Sequence, residues 1–138
     1  KGVLTFSNQI KKAALIMGLA NLAIVTLFWF LAPFIVKVLF GEEYEGSTVL
    51  LRIMIPLVYA SGFINIFLYQ GVLNLNADKL FFKIIAAGGI ASLVLNFLLI
   101  KSMEIEGAAY SRLIIEFILA IVAFIVYRKL IAQKLKNA

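Results

Sequence analysis

The sequence predicts an all-α membrane protein built from four antiparallel transmembrane helices. Of its 138 residues 64% are apolar and 14% are charged, and the mean hydropathy is +1.06, whereas a soluble domain is roughly 45–50% apolar and about 25% charged. The apolar residues form four long runs, and a helix of about 20 such residues crosses the hydrocarbon layer of a bilayer. The segments between the runs are short, which makes consecutive helices antiparallel neighbours.

The first half of the chain contains two of these runs. Residues 13–36 and 53–77 carry no charge, and they predict spans at about 13–37 and 50–75. Pro33 and Pro56 lie inside these spans, where the missing N–H of proline should kink or break a helix.

The second half contains the other two. Residues 80–100 include only Lys83 near one end, and residues 107–127 include Arg112 and Glu116. They predict spans at about 80–100 and 107–128, joined by a loop over residues 101–107. We expect residues 1–138 to be one transmembrane unit, and a fragment of a longer protein.

Basic residues are distributed unequally between the two sides of this arrangement. Nine of them fall on the side of the termini: Lys1, Lys11, Lys12, Lys79, Lys83, Arg128, Lys129, Lys134 and Lys136. Four fall on the other side: Lys37, Arg52, Lys101 and Arg112. Because cytoplasmic loops carry the excess of Lys and Arg, we expect a multi-pass membrane protein with both termini in the cytoplasm.

The composition leaves little for catalysis. The chain has neither cysteine nor histidine, which removes the commonest general base and nearly every zinc site, and it has no glycine-rich phosphate-binding motif. We therefore expect no enzymatic activity, no metal and no cofactor. The net charge is +6. The basic residues that produce it flank the apolar runs, which indicates contact with membrane lipids and not with nucleic acid.

Arg112 and Glu116 are the candidate substrate-binding residues, together with Arg52 at the outer end of the second span. Arg112 and Glu116 are four residues apart and therefore share a helix face. A charge at the bilayer centre costs at least about 2.5–3.5 kcal/mol and is often functional. Two interpretations of the pair are possible: it lines a substrate cavity, or it is a structural ion pair whose charges neutralise each other. Arg112 is also close enough to Gly107 to extend to the outer surface.

Uncharged polar residues also occur inside the spans. Asn65 and Asn74 are nine positions apart, which at 3.6 residues per turn points them to different faces of a helix. We therefore expect no continuous polar stripe on the second span. Hydrogen bonds between helices are expected of all the intramembrane amides: Asn21, Asn65, Gln70, Asn74 and Asn96.

Five short segments, in their order and spacing, resemble the polysaccharide flippases. They are residues 39–44 (LFGEEY), 70–73 (QGVL), 78–79 (DK), 96–100 (NFLLI) and 106–111 (EGAAYS). These flippases of O-antigen and exopolysaccharide units belong to the multidrug, oligosaccharidyl-lipid and polysaccharide exporter superfamily. The family's loop often has a glycine where Met103 and Glu104 stand here.

The resemblance implies part of the C-terminal lobe of a larger, two-lobed transporter. Such a protein would rock between two states and flip a polyprenyl-diphosphate-linked oligosaccharide across the cytoplasmic (inner) membrane of a bacterium or archaeon. It would do so during polysaccharide biosynthesis, for example of lipopolysaccharide. The rest of the transporter chain would then be this unit's partner.

Three other functions stay open: a drug exporter of the same superfamily, a small four-helix exporter, and a membrane scaffold that transports nothing. Small four-helix exporters depend on one intramembrane glutamate, for which Glu116 is a candidate. In those exporters the glutamate lies in the first helix, and the first run here carries no charge.

Overall fold

The computed structural model describes residues 2–136, and all their regular structure is helical. Four α-helices follow one another: α1 Gly2–Phe40, α2 Ser47–Met54, α3 Leu57–Ile64 and α4 Asp78–Lys136. A 3-10 turn, Glu42–Tyr44, precedes α2. A π-helical segment, Asn65–Val72, and a 3-10 turn, Leu73–Leu75, extend α3 without interruption.

Three continuous helical stretches in the described residues are long and apolar enough to cross a membrane: Gly2–Phe40, Ser47–Leu75 and Asp78–Lys136. The chain is therefore a multi-pass membrane protein by length and composition. The all-α prediction is confirmed, but the prediction of four separate helices is wrong at one connection. Where a loop over residues 101–107 was expected, α4 runs on as 59 helical residues with a single interruption.

That interruption is Glu104, whose φ of 52° and ψ of −127° lie outside the helical region. The two arms of α4 contact each other at positions placed symmetrically about it. The Ser111 hydroxyl donates a hydrogen bond to the Asn96 Oδ1 at 2.6 Å, and a Cβ added to Gly88 would touch Leu119. The arms therefore pack as an antiparallel hairpin that reverses at one residue.

The two prolines behave differently. Pro56 separates α2 from α3, as expected of a residue with no N–H to donate to the preceding turn. Pro33 lies inside α1, which continues through it to Phe40.

A buried apolar cluster joins the ends of the helices that are predicted to face the cytoplasm. It contains Ile10 of α1, Leu75 before α4, and Phe81 and Ile131 from the two arms of α4. Fully buried Leu68 and Val72 lie in the same cluster. Residues from all the helical stretches thus meet at one end, as antiparallel neighbours require.

The predicted orientation can be measured by thiol labelling. Ser47→Cys and Ser102→Cys should react with an impermeant maleimide added outside intact cells, whereas Asn137→Cys should react only after lysis. The physical reason is the bias of nine against four basic residues. Lys1, one of the nine, and Asn137 lie outside the described residues. The opposite labelling pattern would refute cytoplasmic termini.

Candidate functional site

A cavity of about 510 Å³ opens between α3 with its π-helical extension and the two arms of α4. Glycines and apolar side chains form part of its wall. Its polar lining consists of Ser61, Asn65, Tyr69, Ser92, Arg112 and Glu116. The cavity therefore has polar groups from all three neighbouring segments in a predominantly apolar protein.

Arg112 and Glu116 form a close ion pair in this wall. The Arg112 Nη2 lies 2.6 Å from the Glu116 Oε1, and the side chains are 58% and 10% exposed, respectively. The Ser61 hydroxyl donates a long hydrogen bond, 3.5 Å, to the Glu116 Oε2. The carboxylate is thus buried and held from two helices, while the guanidinium reaches into open space.

The pair lies deep in the predicted span. Glu116 follows Gly107 by nine residues, which at 1.5 Å per residue is about 14 Å, close to the middle of a hydrocarbon layer about 30 Å thick. Arg112 is about one turn nearer the end of the span that is predicted to face outward. A guanidinium has five N–H donors in a planar fork suited to phosphate oxygens, so its exposed side can bind an anion while Glu116 fixes its position.

Arg52, the third predicted site residue, lies elsewhere. It sits on α2, where its Nε–H donates to the backbone carbonyl of Trp29 on α1 at 3.4 Å. It is not among the residues that line the cavity. The structure therefore brings Arg112 and Glu116 together and leaves Arg52 apart from them.

A row of exposed polar residues continues from the cavity along the second span. We call Ser61, Asn65, Tyr69, Gln70 and Asn74 the polar stripe. They are the only exposed residues between positions 61 and 74, and the residues between them are buried or half-buried and mostly apolar.

Hydrogen bonds connect the stripe lengthwise. The Gln70 Nε2–H donates to the Asn65 Oδ1 at 2.9 Å, and the Asn74 Nδ2–H donates to the Gln70 carbonyl at 2.7 Å. The prediction that Asn65 and Asn74 point to separate faces is wrong, because it assumed 3.6 residues per turn. The wider π-helical turn brings positions i and i+5 into line, and no residue type in the sequence signals that widening.

The predicted hydrogen bonds between helices are present at the other two intramembrane asparagines, whereas the bonds of Asn65, Gln70 and Asn74 lie within the second span, contrary to the prediction. The Asn21 Nδ2–H donates to the Val58 carbonyl at 3.3 Å and joins α1 to α3. Asn96 accepts the hydrogen bond from Ser111 that joins the arms of α4. These two amides therefore hold helices together, unlike the amides of the stripe.

Comparison with known proteins gives one informative similarity. Over 116 residues, 84% of this chain, the sequence is 31% identical to an Escherichia coli (strain K12) protein named "Putative O-antigen transporter". The chain spans about a quarter of that protein, 27% of its length. No protein-family model matches the chain, and no solved structure matches it. The similarity supports a relationship to polysaccharide transporters.

Proposed function

We propose that the parent protein flips a lipid-linked oligosaccharide across a bacterial cytoplasmic membrane, and that this chain forms part of its C-terminal lobe. The observation that carries the proposal is the 31% identity, over 84% of the chain, to the protein named "Putative O-antigen transporter". A transporter of this kind needs no catalytic residue and no cofactor. It needs a polar path through the bilayer, because charged and hydroxyl-rich groups are costly in hydrocarbon.

Arg112 is our proposed contact for the diphosphate of the substrate. Its guanidinium is the exposed partner of the ion pair and borders the cavity. Glu116, held by Arg112 and Ser61, would position the guanidinium without facing the phosphates. The polyprenyl chain would remain in lipid, and the rest of the transporter chain would close the cavity on its open side.

Arg52 has a secondary role in this proposal. It lies on α2, before the cavity along the second span, and could attract the diphosphate as it leaves toward the outer face. Its bond to the Trp29 carbonyl occupies one N–H and leaves the Nη groups for a phosphate.

The proposed function predicts a defined defect when the parent gene is deleted. Surface polysaccharide should be lost, and lipid-linked repeat units should accumulate on the cytoplasmic face, because the oligosaccharide cannot cross unaided. Surface polysaccharide is measured by immunoblot, and the sidedness of the lipid-linked units by their accessibility to an impermeant glycan-modifying enzyme. Plasmid-borne parent protein should restore export. Normal surface polysaccharide in a strain with no other flippase would refute the proposal and favour a drug exporter or a scaffold.

A further inference from the structure

The polar stripe reverses the pattern expected of a surface that faces lipid. On α1 the exposed residues in mid-span are mostly apolar, for example Leu19, Leu22 and Phe30. On the stripe the exposed residues are polar and their buried neighbours Leu68 and Val72 are apolar. Uncharged amides facing hydrocarbon would leave their remaining hydrogen-bonding groups without partners, so this face is turned toward water, a polar ligand or another part of the parent protein.

We propose that the polar stripe is a binding surface for the uncharged sugar residues of the substrate. The inference rests on the proposed function and adds to it a division of the site: Arg112 binds phosphate, and the stripe binds sugar hydroxyls. No residue of the stripe is charged, so it has no particular affinity for the diphosphate.

The hydrogen-bonding groups left on the stripe match sugar hydroxyls. The bonds along it use one N–H of Gln70 and one of Asn74. Gln70 keeps a second N–H and its Oε1, Asn74 keeps a second N–H and its Oδ1, and Asn65 keeps both N–H groups. A sugar hydroxyl both donates and accepts, so neighbouring hydroxyls can pair with an amide oxygen and an amide N–H. The bonds within the stripe already fix the amides in place, which lowers the entropy cost of binding.

The stripe and the cationic site form one continuous surface. Asn65 and Tyr69 line the same cavity as Arg112 and Glu116. Gln70 and Asn74 continue from there toward the end of the span that is predicted to be cytoplasmic. A substrate with its diphosphate at Arg112 would therefore lay its sugars along the stripe on the cytoplasmic side. The half-exposed ring of Tyr69, held edge-on against Phe81, offers an apolar face for the C–H groups of a sugar ring.

Thiol labelling of the purified parent transporter tests this inference. Gln70→Cys and Asn74→Cys should react with a water-soluble methanethiosulfonate, whereas Val72→Cys, on the fully buried side of the same turn, should not. A polyprenyl diphosphate that carries a neutral oligosaccharide should protect both reactive positions. Polyprenyl diphosphate without sugar should bind the transporter but protect neither.

Affinity measurements give a second readout. Gln70→Leu should weaken binding of the glycosylated lipid about five- to tenfold, as expected for a lost hydrogen bond or two. Binding of polyprenyl diphosphate should not change. Arg112→Gln should weaken binding of both lipids.

Three results would overturn the inference, and they can be told apart. Absence of labelling at Gln70→Cys and Asn74→Cys would show that the stripe is packed against the rest of the parent. Equal protection by the two lipids would show that the stripe does not contact sugar. Failure of both lipids to bind at all, with labelling intact, would refute the proposed function itself and the sugar assignment with it.

Discussion

Replacing Arg112 with alanine is expected to destabilise the parent protein more than replacing Glu116. The Glu116 side chain is 10% exposed and the Arg112 side chain 58%, so Arg112→Ala leaves a buried carboxylate without its counter-ion. Removing one partner of a fully buried pair costs about 3–5 kcal/mol, and the loss here should be smaller because the Arg112 side of the pair is open. Glu116→Ala leaves the better solvated partner alone and should cost less. Protein abundance in membranes and the melting temperature of the purified protein measure the difference.

The double variant Arg112→Ala/Glu116→Ala separates stability from binding. Its abundance and melting temperature should recover most of the loss, because replacing both members of a buried pair with apolar residues is often nearly neutral. Export should remain lost, since no guanidinium is left for the diphosphate.

Lys101→Ala, which removes a cation from outside the predicted spans, is the matched control and should change neither protein stability nor export. Normal abundance of Arg112→Ala would contradict the buried-pair interpretation. Wild-type export by the double variant would contradict phosphate binding at Arg112.

The part of the site that could be predicted is the part governed by regular helix geometry. Arg112 and Glu116 lie four residues apart in an apolar run, so their shared face follows from 3.6 residues per turn. The chain is also regular helix around Asn21 and Asn96, and the hydrogen bonds between helices predicted for these two residues are present. Composition and run length were sufficient to predict an all-α membrane protein.

The polar stripe could not be predicted, because its alignment depends on a change of helical period. Asn65 and Gln70 come into register only in the π-helical segment. That segment is stabilised by tertiary packing of Leu68 and Val72 in the buried cluster, and a period set by packing leaves no local signal in the sequence.

The prediction for the connection after the third span is wrong for a different reason. Glu104 adopts a positive φ, a conformation that favours glycine and is uncommon for glutamate. With no glycine or proline at the reversal, the sequence predicts a loop of ordinary length in place of a one-residue turn.

Gly107→Ala is expected to open this hairpin and lower the stability of the parent protein. A Cβ at position 107 would overlap the Leu99 carbonyl oxygen and lie 2.9 Å from the Ile100 backbone nitrogen. Both are backbone atoms of the opposing arm, so no side-chain rotation relieves the contact and the arms must separate. Their separation would also weaken the hydrogen bond between Ser111 and Asn96. Overpacking of this kind costs about 1–3 kcal/mol, which should appear as a lower melting temperature and lower abundance.

Two other glycines of α4 provide graded controls for that variant. A Cβ at Gly89 meets nothing within 4 Å, so Gly89→Ala should be neutral or slightly stabilising, because alanine favours a helix by up to about 1 kcal/mol over glycine. A Cβ at Gly88 would lie 2.8 Å from the Leu119 Cδ2, the end of a flexible side chain, so Gly88→Ala should fall between the two. The melting temperature should therefore be highest for Gly89→Ala, intermediate for Gly88→Ala and lowest for Gly107→Ala. Equal melting temperatures for Gly89→Ala and Gly107→Ala would show that the arms do not pack closely at this turn, since only backbone contact between them distinguishes the two substitutions.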